Sequence, residues 1–381
     1  MPFALEDLTA LRRSLHQHAE LSGHEVTTAS IVDGVLRRCR PDAAVHGLGG
    51  HGAAYRFDGE EPGPTVLIRA DLDALPIPET VALDHASKNR GVAHKCGHDG
   101  HMAMLVGLAA SLAEAPLRRG RAILLFQPAE ETGEGAALVL ADPRFAVLEP
   151  DVVVALHNLP GSPMGQVVLR DGTFNCASVG LVATLRGATS HAAEPEAARS
   201  PTATVGRLLQ ELPAVPRDMD DGDALLTLTH AALGEPTFGI TPGRATLMAT
   251  LRAASDATLD ELLRRVEVHL SDVAAAAGLD LEVDRREPFR AVVNDAAVVA
   301  AVERAAAAEG LDVDRPAHPL RWSEDFAEFT ACFPGALVGL GAGLDQPPLH
   351  APSYDFPDAL LAVGPRLLRA AVDRLVDVDG T

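Results

Sequence analysis

The chain has 381 residues, 47% of them hydrophobic, enough for a substantial core and more than the commonest single-domain length, so two domains are expected. A formal net charge of −21 argues against a nucleic-acid partner, because nonspecific affinity for phosphate backbones comes from Lys and Arg displacing counterions. Aromatic residues make up only 4%, so the core must come mainly from Ala, Val and Leu, which favours packed α/β layers.

The amino-terminal stretch Met1 to Asp7 has neither a basic region nor a long apolar one, and no charge-free apolar run approaches the roughly 20 residues that span a bilayer. Cys39, Cys96, Cys176 and Cys332 are too scattered for a disulfide framework. A cytoplasmic protein with no membrane partner is the expectation.

From Leu5 to about Cys39, apolar residues at helical spacing (Leu8, Leu11, Leu15, then Ile31 and Val35) flank a polar break at Ser22-Gly23-His24 and predict two helices. Residues 65–70 read as a buried strand ending at Asp71-Leu72-Asp73, after which Pro76 and Pro78 break regular structure. A helix is expected over about 101–115. Strands follow at 121–127 and 151–157, separated by a Gly- and Ala-rich helical segment. This alternation predicts an α/β unit with a mainly parallel sheet flanked by helices, whose ligands collect beyond the carboxyl ends of the strands. Asp71, Asp73, Glu130, Glu131 and His157 all fall at those ends.

After Asn175 the texture changes. Strands at 179–185, 225–231, 245–252 and 281–285 interleave with helices at 200–212 and 259–277, a split β-α-β pattern that packs as one sheet with helices on one face. From Phe289 an Ala- and Val-rich helix resumes the first texture. The expected organisation is a discontinuous catalytic domain, 1–176 and 289–381, interrupted by an inserted α+β domain, 177–288, with a four-stranded sheet and two helices.

The segment His94-Lys95-Cys96-Gly97-His98-Asp99-Gly100-His101 carries the strongest chemical signal. Thiolate and imidazole two residues apart suit a borderline-soft divalent ion, and the glycines permit a turn that aims both at one point. In Gln127-Pro128-Ala129-Glu130-Glu131, two carboxylates follow an apolar strand; if one binds metal, the other can serve as base to the activated water. Spacing leaves the two glutamates interchangeable. Adding His157 and His350 gives five donors of mixed N, O and S character, too many for one tetrahedral site and suited to two neighbouring ions. A zinc deaminase is disfavoured because no Pro-Cys-x-x-Cys accompanies a His-x-Glu, and a serine hydrolase because there is no Gly-x-Ser-x-Gly.

With these motifs the sequence resembles, nearly end to end, the M20 metallopeptidase and amidohydrolase family, in the branch of hippurate hydrolases, N-acyl-amino-acid amidohydrolases and auxin-conjugate hydrolases. The resemblance is also carried by Arg12 to Ser22, by Arg69-Ala70-Asp71-Leu72-Asp73-Ala74-Leu75-Pro76, by Ser323-Glu324-Asp325-Phe326 and by Leu349-His350-Ala351-Pro352-Ser353-Tyr354-Asp355-Phe356. It implies Cys96, His98, Glu131, His157 and His350 as metal ligands and Glu130 as general base and acid. It implies Asp73 as the residue that orients a ligating histidine, and His191, in Gly187-Ala188-Thr189-Ser190-His191, as an oxyanion donor from a lid. Asp71 stands where more distant branches place a histidine ligand, and is not assigned as one. The implied cofactors are two divalent ions per subunit, zinc or manganese first, with cobalt and nickel as alternatives. The implied substrate is a small N-acylated amino acid, cleaved at its amide through a metal-activated water, and the inserted domain would mediate a homodimer or homotetramer. A dipeptidase or carboxypeptidase of the same family is the alternative, and a non-catalytic metabolite-binding protein a more distant one. Ala19, Lys95, Glu134-Gly135 and the 193–196 segment depart from the family's usual residues, and the last two bear on substrate identity.

Overall fold

A computed structural model describes residues 3–219 and 224–377, so Met1 and Pro2 of the amino-terminal reading lie outside the described residues. The chain divides into two compact units, one of Met1–Phe174, Val292–His318 and Asp325–Thr381, the other of Asn175–Ala291 and Pro319–Glu324.

The first unit opens with α1 (Leu5–Gln17) and α2 (Val26–Leu36). On α1 the buried stripe is Leu8, Leu11 and Leu15, and Arg12 and His16 extend it, so two polar side chains enter the interior on the apolar face. Then come β1 (Ala43–Leu48), β2 (Gly52–Asp58), β3 (Glu61–Asp71), α3 (His98–Glu114), β4 (Arg119–Gln127), α4 (Gly135–Ala141), β5 (Val152–Pro160), β6 (Val167–Val168) and β7 (Gly172–Asn175). Helix α3 is buried almost all round, as expected of an Ala-, Leu- and Met-rich helix with no polar face.

The second unit holds β8 (Ala177–Arg186), α5 (Thr202–Glu211), β9 (Leu225–Leu233), β10 (Arg244–Ala253), α6 (Asp256–Ala276) and β11 (Asp280–Phe289). Its strands form one antiparallel sheet in the order β11-β8-β10-β9. Alternate residues of β10, from Ala245 through Leu247, Ala249 and Leu251 to Ala253, are buried. The Leu259, Leu262, Leu263, Val266, Leu270 stripe of α6 belongs to the same apolar core, and the Ser255 side chain caps that helix by accepting from the Thr258 amide. Strand β11 runs well beyond the expected 281–285: its outer half is charged and exposed, so the apolar alternation that marks a strand is missing while pairing with β8 continues.

The chain then returns to the first unit with β12 (Val292–Asn294), α7 (Ala296–Ala308), β13 (Val313–Asp314), α8 (Ala327–Cys332), β14 (Gly335–Gly343) and α9 (Gly364–Asp377). Its large sheet has the order β1-β2-β4-β3-β5-β14-β6-β13. Strands β4, β3, β5 and β14 run parallel, and β1 and β2 add an antiparallel flank. Neither that flank nor β14 is among the sequence expectations. Glycine disguises β14, with Gly335, Gly339, Gly341 and Gly343 lowering its apparent strand character. At Gly341 the reason is space, because a Cβ there would collide with the Pro163 carbonyl oxygen.

Candidate metal centre

The parallel strands deliver their carboxyl ends side by side. Asp71 of β3 pairs in register with Gln127 of β4, Arg69 pairs with Ala155 of β5, and His157 and Asn158 lie just beyond. After β3 the chain runs through Asp73 and a segment of turns to Cys96, and α3 starts at His98. Gly97 between them has φ 95°, and a Cβ there would lie 2.5 Å from Asn158 Oδ1, so only glycine lets Cys96 and His98 flank this turn. Among non-glycine residues, Ala129 (φ 54°) and His350 (φ 65°) also take left-handed backbone. Ala129, held by its amide to Glu25 Oε1 at 2.9 Å, aims the two glutamates that follow it.

These turns bring the expected donors together. One donor atom from each of Cys96, His98 and His157 lies within 4.8 Å of the others, and the same is true of Cys96, Glu131 and His350 and of His98, Glu130 and Glu131. Cys96 Sγ is 3.5 Å from His157 Nε2, His350 Nε2 is 3.6 Å from Glu131 Oε2, and His98 Nε2 is 3.7 Å from Glu131 Oε1 and 3.9 Å from Glu130 Oε2. Cys96 therefore belongs to two donor groups at once.

Hydrogen bonds fix which imidazole nitrogen faces the cluster. His98 Nδ1 donates to the Asp73 carbonyl at 2.9 Å, and His157 Nδ1 donates to the Asn158 carbonyl at 2.9 Å, so each presents Nε2 inward. The Asp73 carboxylate, fully buried, accepts from Ser22 Oγ at 2.7 Å and from the Glu131 amide at 2.9 Å, tying the histidine and glutamate segments together.

The electrostatics fit cations. Burial, then the charge of Glu131, pushes the Cys96 thiol up. Burial pushes His157 well down, and His101 adds to it. Burial alone would lower His98, but Asp71, Cys96 and Asp73 together lift it well above its usual value. The buried carboxylates of Asp71 and Asp73 thus crowd the cluster, and the buried Nε2 of His98 makes no hydrogen bond. Divalent ions would supply the missing charge, and the thiolate, imidazole and carboxylate donors match their chemistry.

His191 lies elsewhere in the chain's organisation. It belongs to the second unit, is exposed, and its Nδ1 accepts from the Ala193 amide at 3.1 Å. His94 is buried with no hydrogen bond to either ring nitrogen, and burial lowers it to about 4, so it is neutral.

Sequence reasoning missed the supports beneath the donors. Asp71 Oδ1 is 2.7 Å from His101 Nδ1, His101 Nε2 meets Asn158 Oδ1, and Asn158 Nδ2 donates to the Tyr354 hydroxyl at 2.6 Å. Arg69 donates to Asp71 and to Asp325, each at 2.7 Å. Arg69, Asp71 and Asp325 all lie in motifs that carry the family resemblance, but no role is assigned to them there, because the pairing of Arg69 with Asp325 joins segments 256 residues apart.

Residues 67–374 match the profile of Peptidase family M20/M25/M40. The chain belongs to the M20 family. This M20 chain is 31% identical over 378 residues to an N-acetyl-L-cysteine deacetylase of Bacillus subtilis, covering 98% of its own length and 89% of the relative's. It is 31% identical over 385 residues to an IAA-amino acid hydrolase of Arabidopsis thaliana, covering 96% and 86%. A crystal structure of a dinuclear metal-binding M20 peptidase from Bacillus subtilis superposes with a TM-score of 0.83 at 27% identity, covering 98% and 99% of the two chains. The M20 chain is accordingly a metal-dependent hydrolase of amide bonds.

Proposed function

We propose that this M20 enzyme hydrolyses the amide bond of small N-acylated amino acids with two divalent cations per subunit. The observation that carries the reading is the overlap of the donor groups, in which Cys96 stands with His98 and His157 and again with Glu131 and His350, so that the five donors would serve two neighbouring ions. Cys96, His98 and His157 would hold one, Cys96, Glu131 and His350 the other; zinc and manganese suit the mixed donors first, then cobalt and nickel. Bound cations would lower the pKa of the attacking water and polarise the scissile carbonyl. Glu130, 5% exposed at the edge of the cluster, takes the water's proton and returns it to the departing nitrogen. Asp73 holds His98 and the Glu131 segment in place, and its contacts with both support that role. His191 is assigned as the oxyanion donor on the resemblance alone.

The acylated amino acid is the proposed substrate because the deacetylase and auxin-conjugate hydrolase names belong to relatives that match nearly end to end. Residues 177–288 are proposed as the lid that also pairs subunits, and the cytoplasm as the compartment; among the described residues no helix is long and apolar enough to cross a membrane.

The test is release of free amine from a panel of N-acyl amino acids and dipeptides by metal-loaded protein, beside a chelated sample and Glu130→Gln. Chelation should abolish turnover, and Glu130→Gln should lower it by about 10²- to 10⁴-fold with ion content unchanged. Full activity of Glu130→Gln would remove the proton-transfer assignment, and preference for dipeptides would move the substrate class.

A further inference from the structure

We propose that Lys95 is a positioning residue that braces the loop carrying His350 against the segment carrying Cys96, and thereby tightens the cation site of Cys96, Glu131 and His350. The proposal rests on the two-cation reading above.

The segment from Leu344 to Pro357 contains turns but no helix or strand, yet it must present His350 at a fixed place. Lys95 grips it twice. Its carbonyl oxygen accepts from the His350 amide at 2.8 Å, and its ammonium, on a side chain with no exposure, donates to the Tyr354 carbonyl at 2.8 Å. The same ammonium pairs with Glu79 Oε1 at 2.8 Å, and Glu79 is held in turn by His16 Nε2 at 2.9 Å and by the Ser87 amide at 2.6 Å. The loop is thus anchored through a buried charge to the α1 helix. An ammonium in so dry a place persists only because its partners are fixed.

His350 is the proposed ligand that most needs such a brace. Its side chain is 51% exposed and its backbone sits at φ 65°, whereas Cys96, His98 and His157 are buried, and both of those imidazoles have Nδ1 fixed by a hydrogen bond. Without the ammonium, the loop keeps the His350 amide on the Lys95 carbonyl, the Tyr354 hydroxyl on Asn158 and Asp355 on Arg12, but loses the buried tie at the Tyr354 carbonyl, the cationic one nearest His350 in sequence. The binding of an ion there would then have to hold the His350 segment more by itself, and the loss should fall mainly on that site, because His98 and His157 are oriented by hydrogen bonds that do not involve Lys95.

The experiment is a calorimetric titration of metal-free protein with zinc against a competing chelator, with ion content measured independently, on wild type, Lys95→Met, Lys95→Ala, Lys95→Arg and His350→Ala. Wild type should take two ions and His350→Ala one, and wild type taking fewer than two would sink the two-cation reading itself. Lys95→Met should hold the first step within about twofold and weaken the second about tenfold or more, with Lys95→Arg recovering it. Lys95→Ala repeats the measurement if Lys95→Met lacks the wild-type circular dichroism. An unchanged second step in the folded variants would overturn the proposal, as would equal weakening of both steps, which marks a general loss of structure.

Discussion

His16 sits fully buried with a carboxylate at each ring nitrogen, Asp99 Oδ2 at 2.8 Å from Nδ1 and Glu79 Oε1 at 2.9 Å from Nε2, so both nitrogens act as donors and the ring is an imidazolium. Burial opposes that charge, but Asp99 and Glu79 outweigh it and lift the pKa from 6.5 to about 9. Despite its own burial Glu79 falls to about 2, through His16 and Lys95. Because the folded pKa lies above the unfolded one, the contribution is complete below 6.5 and is lost as pH rises through about 9. It amounts to something on the order of 3 kcal/mol. Urea denaturation of metal-loaded wild type and His16→Gln should show a stability gap that narrows between these limits. A gap independent of pH would mean that the ring is not charged in the folded protein. The i, i+4 spacing of Arg12 and His16 on an otherwise apolar stripe was legible in the sequence, but their partners Asp99, Asp355 and Asp358 were not, since each comes from a distant segment.

At the scale of elements, the amino terminus of α3 decides the site. The glycine at 97 was read from the sequence as a turn, and the structure gives the reason: a left-handed φ and an approach to Asn158 that leaves no room for a Cβ. Gly97→Ala must adopt a strained backbone and displace Asn158, at a cost of about 2 kcal/mol or more. A lowered melting temperature together with reduced ion content is the expected result; wild-type values of both would show that the turn tolerates a side chain. Elements with a clean period were expected close to where they lie. Helix α1 and strand β10 show their stripe and their alternation directly, whereas β14 hid behind glycines that its neighbours demand and β11 behind the charges of its outer half.

On the scale of the whole molecule, the first unit is assembled from segments far apart in sequence, and a buried charge network joins them. Asp325 accepts from Arg69 at 2.7 Å, from Gln127 at 2.8 Å and from the Ala136 amide at 2.8 Å, while Arg69 also holds Asp71 beneath the donor cluster. Asp325→Ala leaves the buried guanidinium with one carboxylate fewer and should cost about 3–5 kcal/mol. A urea midpoint close to wild type would show that Asp71 and Gln127 suffice. What the sequence by itself determined was chemistry and local form: thiolate, imidazole and carboxylate at strand ends, an α/β texture, and an inserted stretch of four strands and two helices with a different texture. Those properties depend on residue type and on periods of two or 3.6 residues, and both are written locally. Only the tertiary structure decided that Cys96 lies in two donor groups, that Asp73 and Asn158 offer the carbonyls that turn His98 and His157 inward, and that Lys95 reaches the loop of His350. Each of these is a meeting of side chain and backbone across tens or hundreds of residues, set by strand register and by where an unpatterned loop comes to rest, and neither leaves a periodic trace in the chain.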